Sequence, residues 1–218
     1  MKRTKLTTLI FGLLFFGCNQ ENTKANPDQQ EKVFIAVSDH EQIQSLIRQV
    51  LNWVENKNAF DLLPVLADGR NRVYTGFDLD KHKQNLAKLK QSNLFATSFI
   101  ENYNQIILTL DKGMKKGNYD RWLVGNLPTF TFANGVDPWT LCQDVPYEKP
   151  NPFDFIETNI LNASKGEVIW KWGKLKPKTD QSWKNFTYKF KVVKENDKWK
   201  IAYLQGFDFK KSTSKAED

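Results

Sequence analysis

The chain has 218 residues, 40% hydrophobic and 26% charged, which is room for one ordinary domain plus a leader. Its formal net charge is +7, and Lys2, Arg3 and Lys5 at the very start account for three of those charges. The remaining basic residues are dispersed among 25 acids, a pattern that argues against a nucleic-acid partner.

The first five residues carry three positive charges, and residues 6–16 form an apolar core. That run is too short to span a bilayer and has the plan of a secretory signal. Gly17 then precedes Cys18. A small residue followed by cysteine directly after the apolar segment resembles a bacterial lipoprotein precursor. The resemblance implies removal of residues 1–17 and lipid on Cys18, with a membrane as partner through that lipid. Phe15 and Phe16 depart from the commonest residues at the outer positions of that box. By the same resemblance, Asn rather than Asp at position 19 points to the outer membrane. Residues 19–32 contain Ala25 as their one apolar side chain and are expected to be a disordered tether, so 18–32 reads as anchor and tether.

A single domain is expected over 33–209, in two halves. Ser38 followed three residues later by Glu41 is a capping box. Ile43, Leu46, Ile47, Val50, Leu51 and Val54 follow at helical spacing, predicting a helix that ends in the polar run 56–58. Residues 58–77 are irregular, with one short strand expected at 72–75. A second helix is expected over 80–92, with Leu86 and Leu89 inward. A third, over 97–116, sets Phe99, Ile100, Tyr103, Ile106, Ile107, Leu110 and Met114 on one face. His40 reads as a surface residue, and His82 shares no metal-ligand spacing with it.

The middle, 119–150, is the least regular part. Residues 122–124 read as a short strand and 134–138 as a turn. Residues 137–146 read as a short strand and a loop, with Asp137, Trp139, Cys142, Gln143 and Asp144 close together at the junction of the two halves. Such a junction can line a cavity. Equally, Asp137 and Asp144 beside Pro and Gly fit turn-capping carboxylates. With Cys18 committed to lipid, Cys142 is left without a disulfide partner and reads as a small buried hydrophobe.

The last part, 153–209, is expected to be a four-stranded antiparallel meander. Phe186, Tyr188, Phe190 and Val192 alternate with lysines, and 198–203 alternates again after the turn-forming 195–197. Gly166 and the loop around Pro177 are expected to separate strands. Trp199 and Ile201 are expected to face the helices. Residues 210–218 read as a disordered polar tail.

The class is therefore α+β, with three N-terminal helices packed on a curved antiparallel sheet. This order, together with Cys142-Gln143-Asp144 and the ending Asp197-Lys198-Trp199-Lys200-Ile201, resembles the nuclear-transport-factor-like (cystatin-like) cone over about 42–209. More narrowly it resembles the YbjP-like envelope lipoproteins. That scaffold hosts enzymes and binding modules alike. The sequence holds no glycine-rich phosphate loop, no G-x-S-x-G elbow and no H-E-x-x-H, so no cofactor or metal is expected. The leading expectation is a non-enzymatic envelope lipoprotein that binds a small ligand or an envelope protein. The resemblance leaves open an acid–base isomerase or dehydratase using Asp137, Asp144 and Tyr103, and a structural or neutralising envelope protein.

Overall fold

A computed structural model describes residues 37–54, 60–142, 155–172, 175–178 and 181–216. Helix α1 (Asp39–Trp53) begins where the capping box places it. The Ser38 backbone N–H donates to Glu41 at 2.9 Å, and the Glu41 N–H returns a bond to the Ser38 hydroxyl. Its buried stripe is Ile43, Leu46, Ile47, Val50 and Leu51.

Strands β1 (Val65–Asp68) and β2 (Val73–Phe77) form an antiparallel hairpin. Only β2 is expected from the sequence. Its partner escapes notice because Leu66 is exposed, which breaks the inward–outward alternation. The strand expected at 122–124 shrinks to a single bridge between Leu123 and Val73. Asp78 caps α2 (Leu79–Ser92) by accepting from the N–H groups of Asp80 and Lys81. The inward face of α2 carries His82 and Asn85 beside Leu89, whereas Leu86 is half-buried. Helix α3 (Thr97–Lys115) buries Phe99, Tyr103, Ile106, Ile107 and Leu110 as its spacing predicts.

The meander is present as β3 (Phe155–Asn162), β4 (Lys165–Lys171), β5 (Tyr188–Glu195) and β6 (Lys198–Leu204), antiparallel and in sequential order. A five-residue helix, α4 (Gln181–Asn185), lies between β4 and β5. Asn196 and Asp197 both take positive φ, 51° and 59°, the conformation a two-residue hairpin turn requires. Tyr188, Phe190 and Val192 on β5, with Trp199 and Ile201 on β6, are buried on the helix side, while Lys189 and Lys191 are exposed. Gly166 does not separate strands. It sits within β4 opposite Ile160 and Val192, and a Cβ there would lie 3.0 Å from a Val192 methyl and 3.6 Å from Ile43. A methyl there would crowd Val192 and the Asn159 carbonyl within the sheet, and a longer side chain would press on Ile43 of α1.

Specific polar contacts help fix the sheet to the helical half. Asp39, in the first turn of α1, accepts from the Trp199 indole and from Lys194, both at 2.8 Å. Beyond the outer side of β6, Leu94 and Ala96 bond to the backbone of Ile201, so that edge is covered. After β6 a 3-10 turn (Gln205–Phe207) leads into α5 (Phe209–Ser212), capped by Asp208.

The tail expected to be disordered is instead docked as far as residue 216. Thr131 bonds to Ser214, Phe132 to Ser212 and Ala216 to Thr129 through their backbones. Composition hides this, because main-chain pairing needs no apolar side chain. The described residues thus form an α+β unit of five helices and two antiparallel sheets.

Candidate binding cleft

Residues 137–142 form a closed turn rather than a short strand. The Asp137 N–H donates to the Cys142 carbonyl at 3.1 Å, and the Leu141 N–H donates back to the Asp137 carbonyl at 2.6 Å. Leu141 takes φ 54° to close it. The Asp137 carboxylate accepts the Trp139 N–H at 3.0 Å, the Asx-turn bond that an Asp before Pro favours.

This turn is clamped from beneath. The fully buried Tyr188 hydroxyl donates to the Pro138 carbonyl at 2.7 Å and accepts the Gly206 N–H at 3.0 Å. Trp139 is driven inward among the rings of Trp53, Phe60, Phe95, Phe99 and Phe207, with centroids 4.7 to 6.4 Å apart.

The opposite wall is the segment Phe60–Leu63, held from behind. Tyr103 donates to the Leu62 carbonyl and Asn85 to the Asp61 carbonyl, both at 2.9 Å. The Asp61 carboxylate takes the Leu63 N–H at 3.0 Å. Behind these carbonyls His82 is 2% exposed, its Nε2 on Asn104 at 3.0 Å and its ring edge-on to Tyr103. Burial lowers the His82 pKa, against the opposing bond to Asn104.

Between the two walls lies an open cleft of about 450 Å³. Phe60, Leu62, Val136 and Trp139 supply apolar surface, and Asp61 and Asp137 are its charged residues among those described. Asp137 is exposed, yet the protein packed around its carboxyl raises its pKa, an effect the Trp139 N–H partly offsets. Burial, then the charge of Asp137, pushes the Cys142 thiol up to about 11, so Cys142 is a weak nucleophile.

Of the residues singled out in the sequence, Asp137 and Trp139 share this cleft. Tyr103 does not line it; it is fully buried, and burial pushes its hydroxyl far above the ordinary phenol range. Cys18, Gln143 and Asp144 lie outside the described residues. Phe60 and Asp61 were missed. The available signal was Asp61 two residues before Leu63 and three before Pro64, a spacing that suits an Asx turn.

Comparison with protein-family models, curated proteins and solved structures finds no match. Among the described residues, no group of three or more His, Cys, Asp or Glu side chains converges as a metal site, and no helix is long and apolar enough to cross a membrane.

Proposed function

We propose that the protein is a lipid-anchored lipoprotein of the bacterial envelope, in the outer membrane, whose folded unit is a non-enzymatic binding module of the nuclear-transport-factor-like kind, similar to the YbjP-like group. The anchor rests on Cys18 after its short apolar run and on Asn19. The scaffold reading rests on three helices followed by a sequential meander, and adds a cone-like curvature to that order. The binding role is carried by one observation. Asp137 and Trp139 stand on the wall of an open cleft, while the Tyr103 hydroxyl is turned away and spent on the Leu62 carbonyl.

The acid–base enzyme reading retains one supporting fact, the raised pKa of Asp137 in that cleft. Tyr103 does not serve as its second group, because it is sealed behind the Phe60–Leu63 wall, and Asp144 lies outside the described residues.

The anchor is tested by Cys18→Ala in cells with fractionation, alongside intact-mass measurement of the wild type. Each buried CH₂ contributes about 0.8 kcal/mol, so two chains hold firmly where one holds reversibly. The wild type is expected in the membrane fraction with the mass of the lipid, and the variant in the soluble fraction. A wild type without lipid mass, or a variant that pellets after a high-salt wash, overturns the anchor.

A further inference from the structure

We propose that the cleft binds a small organic cation, an ammonium or guanidinium group carried on an apolar body, with Asp137 as its counter-ion. The proposal rests on the binding-module reading and names the ligand class for that same cleft.

Charge is the first argument. The protein as a whole is basic, at +7, yet among the described residues the cleft is lined by two carboxylates and no lysine or arginine. The described lining is therefore opposite in sign to the protein as a whole. Among the described residues Asp61 pairs with Lys81 at 3.8 Å, with both side chains more than half exposed. Such a pair is weak and leaves Asp61 available.

The second argument is the availability of Asp137. One of its oxygens accepts the Trp139 N–H; the other has no hydrogen-bond or ion-pair partner among the described residues. Asp137 is exposed, so that oxygen is open to an incoming positively charged donor. Asp39 and Asp111, by contrast, each hold a lysine at 2.7–2.8 Å.

The third argument is the surface between the carboxylates. Half-buried Phe60 supplies aromatic surface, to which Trp139, 4% exposed, adds little, and this suits both an apolar body and a cation near a ring. A volume of about 450 Å³ suits a small molecule. Both walls are held by buried bonds, through Tyr103 and Asn85 on one side and Tyr188 on the other, so the site is preformed.

The test is titration of the full-length chain with phenethylammonium, 2-phenylethanol and phenylacetate, followed by calorimetry and by the Trp139 indole resonance. These probes share a body and differ in charge. The cation is expected to bind about tenfold or more tighter than the alcohol, as one charge-assisted hydrogen bond allows, and the acid not at all. Asp137→Asn retains an oxygen for the Trp139 N–H, so its thermal midpoint should stay near wild type while the preference for the cation disappears. Should that variant fold poorly, Asp61→Asn is expected to weaken the cation severalfold and spare the alcohol. Equal binding of cation and alcohol overturns the ligand class and leaves the cleft as a binding site. A preference that survives in both variants overturns the role of the carboxylates. If none of the three probes moves the Trp139 resonance, the cleft reading fails with the proposal.

Discussion

At the scale of single residues, the tightest of the described glycines is Gly206. A Cβ added there would lie 2.0 Å from the Pro138 carbonyl oxygen, a backbone atom that cannot swing aside. Gly206→Ala must therefore separate the end of β6 from the 137–142 turn and break both bonds of the Tyr188 hydroxyl. A loss of about 2–4 kcal/mol is expected in urea melts, from overpacking together with unpaired buried groups. Tyr188→Phe removes the bonds without the clash and should cost about 1–3 kcal/mol. A Gly206→Ala protein as stable as wild type would show that this contact is looser than described. His82 sets a pH dependence. With Nε2–H on Asn104, its Nδ1 is buried without a partner, so protonation would create an N–H with no acceptor. Its folded pKa is lowered below the ordinary imidazole value of 6.5, so its contribution to stability is present above that value and is lost as pH falls below it. The thermal midpoint should fall from pH 7 to pH 5, and His82→Leu should flatten that slope. An unchanged slope in the variant would assign the acid sensitivity elsewhere.

At the scale of elements, β6 carries the sharpest test of register, since a one-residue slip would turn every side chain to the other face. Trp199 is 5% exposed, faces α1 and donates to Asp39. Trp199→Ala is expected to cost about 3–5 kcal/mol by chemical denaturation, the range for truncating a buried aromatic. A loss below about 1 kcal/mol would contradict the assigned face. Elements with strong local signals were legible in the sequence. The capping box starts α1, the helical stripe defines α3, and period-two alternation defines β5 and β6. Elements made by distant partners were not. β1 exists because β2 pairs with it, the 129–132 stretch docks the tail by backbone bonds and the Thr131 hydroxyl without apolar signal, and Gly166 reads as a breaker until α1 is laid over it. The candidate site divides in the same way. Asp137 and Trp139 stood out through local composition, but the wall facing them depends on Tyr103 and Asn85 reaching Leu62 and Asp61 across 41 and 24 residues. No local pattern announces such bonds.

At the scale of the whole molecule, a cleft whose charged residues, among those described, are Asp61 and Asp137 is set in a protein of net charge +7. Another hollow, about 460 Å³, lies on the outer face of the sheet among Lys189, Lys191, Glu167 and Tyr203, and it is the natural competitor as a binding surface. It differs in kind: its lining mixes both charges, and Lys191 already sits 5.7 Å from the Tyr203 ring centroid. The most direct measurement is therefore a map of where small molecules settle, taken from amide and indole shifts of the full-length chain against a set of charged and neutral fragments. Shifts concentrated at Phe60, Asp61, Val136 and Trp139 are the expected result. Shifts concentrated at Lys189, Lys191 and Tyr203, or no localised shifts at all, would contradict the cleft as the functional surface.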